Sequence, residues 1–246
     1  MRLKLIACEV FYRELCVLAA RSRNQVDLEF VAQGLHNLGA PKMLERLQVL
    51  VNGVDPAVHE AVLLGYGLCG NGILGLQAVK VPLVVPRAHD CLACFFGSRE
   101  RYMKYFETNP RVYYKTSGWL ERTGSMSGSQ LAFTAPDQKI PTWEELVAKF
   151  GEEDAAYIRD TLTTHLRHYD QITYIDMGVE PLDVFEARAK AEAAQLGWKY
   201  ERIKGDLGLL QRLVDGPWDD ADFVNVPAGR RIAPLYDGSI MGLSAD

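Results

Sequence analysis

The sequence is short of the features that would place it in a membrane, on nucleic acid or among secreted disulfide scaffolds. No run approaches the roughly 20 apolar residues that a membrane span needs. The opening Arg2-Leu3-Lys4-Leu5-Ile6-Ala7-Cys8 is also too short an apolar stretch for a secretory signal. Positive charge is not in excess, with 27 Lys and Arg against 32 Asp and Glu and a formal net charge of −5. Affinity for polyanions comes largely from clustered Lys and Arg, so nucleic acid is not an expected partner. Cysteine is scarce and uneven: the five lie within the first 94 residues. An odd, crowded set does not suit a disulfide framework spread over a secreted domain. Reduced thiols and a cytoplasmic location are therefore expected.

What is there has ordinary globular composition, 48% hydrophobic and 24% charged over 246 residues. That length supports one large α/β domain or two small ones. Lys4 to Cys8 reads as a buried strand, Phe11 to Ala20 as an amphipathic helix and Val26 to Val31 as a second strand. A helix follows with Pro41 near its start and Asn52-Gly53 at its end. Ala61 to Tyr66 and Val81 to Val85 are continuous apolar runs of the kind buried on both faces of a parallel sheet, and a helix is expected between them. The stretch from Val112 to Thr142 holds several Gly, Pro, Ser and Thr and reads as loops. Beyond it come a helix from Trp143 to about His168, a strand at Ile172–Ile175, a helix at Val184–Leu196, a strand at Tyr200–Ile203, a short helix at Leu207–Val214 and a strand at Asp222–Val226.

Such alternation implies a Rossmann-like α/β fold, a mostly parallel sheet with helices on both faces. The rhythm resumes after the loops, which suggests two similar lobes: an N-terminal lobe over 1–111, a connection over 112–142 and a C-terminal lobe over 143–246. Ligands of open α/β sheets bind beyond the carboxyl ends of the strands. Cys8-Glu9, Gly34-Leu35-His36, Tyr66 to Cys69 and Arg87 to Cys91 all fall just past apolar runs, so four strand ends converge on one site.

His89-x-Cys91 offers an imidazole and a thiolate from one turn, and Cys69 offers a second sulfur from the neighbouring strand end. A Cys₂His set leaves a coordination position open on Zn²⁺ or Fe²⁺, as catalytic metal sites do. Cys8 and His36 are further ligand candidates. The competing reading makes these thiols small buried residues and the histidine a core hydrogen-bonding group. Cys94 and Cys16 are read as packing, and His165 with His168 as a solvated pair on a helix. Glu9 could orient a ligand, and Tyr66 could donate a proton or form the wall of the site. Arg87 could hold a carboxylate or phosphate bidentately, or pair with Asp90 or Glu9. Gly67, Gly70 and Gly72 let the backbone turn tightly or approach a cofactor, although the run lacks the dinucleotide G-x-G-x-x-G pattern.

The elements Ala7-Cys8-Glu9-Val10, Gly34-Leu35-His36, Tyr66-Gly67-Leu68-Cys69-Gly70-Asn71-Gly72, Pro86-Arg87-Ala88-His89-Asp90-Cys91, Gly97-Ser98-Arg99 and Ser117-Gly118-Trp119-Leu120-Glu121 resemble, as an ordered set, those of the domain of unknown function 1638. The resemblance covers nearly the whole chain. It implies an association with one-carbon metabolism and corrinoid-dependent methyl transfer. It is also similar to the His-x-Cys and distant Cys arrangement of some zinc methyltransferases, with the order changed because Cys69 precedes the pair. The expected function is a metal-dependent, methyltransferase-like enzyme acting on a small-molecule substrate. Its ion would activate a thiol, water or substrate group. The alternative is a non-catalytic metal- or corrinoid-binding accessory protein. A corrinoid protein, a methyltransferase or a second copy of the chain are the partners either reading admits.

Overall fold

The computed structural model describes residues 1–122, 142–163, 168–181 and 183–244. Strand β1 (Arg2–Cys8) runs into a 3-10 turn at Glu9–Phe11 and helix α1 (Tyr12–Arg21), then strand β2 (Gln25–Val31) and helix α2 (Ala40–Asn52). Pro41 sits in the first turn of α2, where its missing N–H leaves no helical bond unmade. Strands β3 (Ala61–Gly65) and β4 (Leu83–Pro86) follow and are buried at every residue. Their unbroken apolar runs therefore mark strands covered on both faces.

Between β3 and β4 the expected helix is absent. Gly75 and Ala78 donate their backbone N–H groups to Ile232 and Arg230, and Ile232 donates to Leu76. Those backbone groups are thus satisfied by a distant segment instead of by a local helix.

Helices α3 (Cys91–Phe95) and α4 (Arg99–Thr108) come next, each started by a side-chain cap, Asp90 accepting from Leu92 N and Ser98 from Arg101 N. The segment read as loop begins instead with strand β5 (Val112–Lys115) and helix α5 (Ser117–Arg122). The β-forming pair Tyr113-Tyr114 favours that strand, although the residues downstream are rich in Gly and Pro. Helix α6 (Trp143–Thr163) opens with a capping box in which Thr142 and Glu145 exchange hydrogen bonds, and non-helical geometry at Gly151 breaks it. His165 lies outside the described residues. Strand β6 (Gln171–Asp176), helix α7 (Val184–Leu196), strand β7 (Lys199–Lys204), helix α8 (Gly208–Asp215), strand β8 (Phe223–Val226) and a hairpin of β9 (Ile232–Pro234) with β10 (Met241–Leu243) complete the order.

The strands form a five-stranded sheet in the order β2-β1-β3-β4-β8, a three-stranded sheet β5-β6-β7 and the hairpin. Pairing is parallel except between β4 and β8 and within the hairpin. The chain is therefore a mixed α/β protein with a mostly parallel central sheet. Strand β8, from the last part of the sequence, closes the edge of the first sheet. The carboxyl ends of the two parallel sheets face each other. Gly118, just past β5, packs on the carbonyl of Val10 just past β1, and Asp206, just past β7, donates its N–H to Phe95 O at 2.9 Å. The main core reaches across this seam to take in Ile175 and Met177 from the end of β6.

Candidate functional site

The register of the first sheet sets Ala7 opposite Gly65, so Cys8 and Tyr66 leave neighbouring strands side by side. Beyond Tyr66 the chain coils in the left-handed sense, with φ of 45° at Cys69, 69° at Gly70 and 68° at Asn71, and Gly72 N closes the turn on Leu68 O at 2.8 Å. Such a conformation costs a non-glycine residue about 1–2 kcal/mol, so consecutive residues held in it mark a turn fixed by its surroundings. Part of the fixing is visible. Leu68 N and Cys69 N donate to the carbonyls of Ala88 and His89 at 2.9 and 3.0 Å, which ties the turn after β3 to the turn after β4. Gly67 permits the approach, because a Cβ there would sit 2.8 Å from the backbone of Asp90. Gly72 does the same against Met43, and Gly70 has open space around it.

These turns bring the thiols of Cys8, Cys69, Cys91 and Cys94 into one electrostatic neighbourhood. Burial raises all four, Cys8 to about 11 and Cys69 to about 12, with Cys91 and Cys94 also pushed up. Charge on Cys8 disfavours ionisation of Cys69, and Cys91 is opposed by Cys69, Asp90, Cys8 and Cys94. By themselves the thiols are neutral and poorly nucleophilic at physiological pH. Tyr66 is 3% exposed, its hydroxyl has no hydrogen bond of good geometry, and the Cys8 thiol is a close polar neighbour. Burial pushes the phenol upward, with Cys8 and Cys69 adding to the shift.

Not every expected residue points into this cluster. His89 and His36 are exposed, and His89 meets Cys69 through its backbone carbonyl. Glu9 accepts a hydrogen bond from Gln33 N at 2.7 Å and so fastens the end of β1 to the end of β2. Arg87 forms no ion pair with Asp90 or Glu9. Its guanidinium donates to the carbonyls of Asp220, Phe223, Ser239 and Met241, so it clamps the closing strand and the hairpin to the end of β4. Among the described residues, no group of three or more His, Cys, Asp and Glu side chains stands ready-made to hold a metal ion. Cys94, read from sequence as packing, belongs to the thiol neighbourhood because it lies three residues along α3 from Cys91. Glu14, absent from the expected site residues, is fully buried in α1. Its place on the stripe with Phe11, Leu15 and Leu18 was the available hint.

Fold and site together define an α/β protein with a cluster of buried thiols at the carboxyl ends of adjacent parallel strands. The chain belongs to the family described as Protein of unknown function (DUF1638), whose model matches residues 30–214. That span includes Cys69, His89, Cys91 and Cys94, while Cys8 and β8 fall outside it. Neither the curated proteins nor the solved structures gave a match. No helix among the described residues is long and apolar enough to cross a membrane.

Proposed function

We propose that this cluster of thiols takes one thiophilic metal ion, Zn²⁺ or Fe²⁺, and that the protein uses it in group transfer, with methyl as the group the family resemblance suggests. The supporting observation is the meeting of Cys8, Cys69 and Cys91 at the ends of β1, β3 and β4, with Cys69 held in a left-handed turn. Softness of the donors favours such an ion over Mg²⁺ or Ca²⁺. Ion binding would also reverse the unfavourable electrostatics, since thiolates that repel one another become mutually compatible around a cation. The thiols need side-chain rotation to converge, and exposed His89 on the same turn as Cys91 is the imidazole able to complete the set. A bound ion of this kind supplies Lewis-acid lowering of the pKa of a coordinated thiol or water. Tyr66 would present its protonated hydroxyl beside Cys8, and the buried walls of β3 and β4 would exclude water.

The engagement of Glu9 and Arg87 by backbone groups favours a second reading, a metal- or corrinoid-binding accessory protein of a methyltransferase system. Neither side chain is left free to act on a substrate.

Metal content tests the proposal directly. Protein purified without added metal, then offered Zn²⁺ or Fe²⁺ under reducing conditions, should hold about one equivalent, the occupancy of a single site. Cys69→Ser and Cys91→Ser should each hold less than about a tenth of that, in line with loss of a ligand. A wild type that stays metal-free after loading overturns the proposal. Methyl transfer from a methylated corrinoid to a thiol by the loaded protein would separate the enzyme from the accessory reading.

A further inference from the structure

Away from the thiols, the seam between the two sheets contains a buried acid with no obvious structural use. Glu14 in α1 is 0% exposed, and among the described residues neither of its carboxyl oxygens has a hydrogen-bond partner. Ser117, at the start of α5 across the seam, is likewise 0% exposed with its hydroxyl unpartnered. A buried polar group without a partner is uncommon in folded proteins and calls for an explanation.

The surroundings supply one. Arg13, next to Glu14, is bound bidentately by Glu121 of α5 at 2.8 and 2.8 Å and lies 5.5 Å from the Phe185 ring of α7. Glu180, on the loop after β6, accepts from Tyr174 Oη at 3.2 Å and from Val179 N at 3.0 Å. Among the described residues, the charged groups that act most on Glu14 are Arg13 on its own helix, Glu121 on α5 and Glu180 on the β6 loop. Two of these are carboxylates, and Arg13 is already committed to Glu121. The Cys16 thiol, also on α1, senses the Glu14 charge as well. Gly118 packs its backbone on the Val10 carbonyl, four residues before Glu14, so α5 is held against the turn that leaves Cys8 and enters α1.

We propose that Glu14 is a proton-controlled latch: its neutral carboxyl lets α5 and the β6 loop close over α1, and its ionisation drives that seam open, freeing the turn that follows Cys8. Burial is the largest influence on the group, raising it to about 8, with Glu180 and Glu121 adding to the rise and Arg13 opposing it. The closed seam thus keeps a proton that an opened, hydrated seam loses near the ordinary carboxylate value of about 4.3. Between those values closure is progressively lost as pH rises, and above the higher value both forms are ionised and the dependence stops.

Hydrogen–deuterium exchange of the full chain, corrected for the intrinsic pH dependence of exchange, tests this at segments 117–122 and 177–181. From pH 6 to pH 8 the corrected exchange should rise about tenfold per pH unit and level off above that, as the proton linkage requires. Segment 61–65 serves as the unaffected reference. Glu14→Gln should leave 117–122 slow and insensitive to pH throughout, and Glu14→Met, which removes the titrating group without requiring a hydrogen bond, should do the same. Corrected exchange in the wild type that is flat across this range overturns the latch. So does a rise that survives in either variant.

Discussion

The two parallel sheets share one local pattern of strand, turn and helix, and they differ in what they leave at their ends. In the first sheet β3 and β4 are buried along their whole length, whereas β7 in the second sheet is exposed at four of its six positions. A strand covered on both faces has no room for polar side chains, so its chemistry moves to the turn where the backbone leaves the ladder. There the first sheet carries thiols whose charges oppose one another. The second sheet instead neutralises its polar groups internally. Lys115 meets Glu192 at 2.9 Å with both nearly buried, and Arg202 binds Asp176 at 2.5 Å and Glu186 at 2.9 Å. Polar groups paired in this way hold structure, while unpaired and crowded ones leave a place for a ligand.

That contrast can be broken from the second sheet first. Lys115→Ala strands Glu192 in a buried position and should cost about 3–5 kcal/mol. Denaturant unfolding followed at Trp198, which packs against Tyr113 and Tyr169, would report it. A loss under about 1 kcal/mol would put the pair on the level of a surface ion pair and erase the distinction between the sheets. Gly118→Ala attacks the seam itself, since a Cβ there collides with the Val10 carbonyl oxygen. The expected loss is about 3 kcal/mol, with faster exchange on both sides of the seam, and unchanged stability would mean that the contact is loose. On the first sheet, Arg87→Met should cost about 2 kcal/mol through lost charged hydrogen bonds. It should also increase proteolysis of the hairpin at 232–243 while leaving metal uptake intact. Impaired uptake with a stable hairpin would instead return Arg87 to the site. The smallest effect should come from Arg2→Ala. It removes a half-exposed pair with Asp27 at 2.9 Å, and a change within about 0.5 kcal/mol in a thermal melt is expected.

Much of the fold could be read from the residues. The apolar runs at 61–66 and 81–85, the capped stretch after Thr142 and the alanine-rich helix ending at Leu196 all appear where local pattern puts them. The positions of the candidate site were legible, because Cys8 ends β1 while Cys69 and Cys91 lie past the ends of β3 and β4. The directions of its side chains were less legible. His89 turns outward, Arg87 is taken up by carbonyls of residues 220–241, and Cys94 joins the thiols. No property of Arg87 in the sequence distinguishes a ligand clamp from a backbone clamp, since the partners that decide it lie more than 130 residues away.

By itself, then, the sequence determined most of the strands and longer helices and which turns carry sulfur, for those follow from the period of apolar residues and from local backbone preference. Tertiary structure decided the rest. It brought β8 back to the first sheet, took the backbone groups between β3 and β4 away from a helix, and buried Glu14 of α1 completely. Each of these depends on how distant segments compete to satisfy the same hydrogen-bonding groups and cover the same apolar surface. That competition is settled only when the whole chain packs.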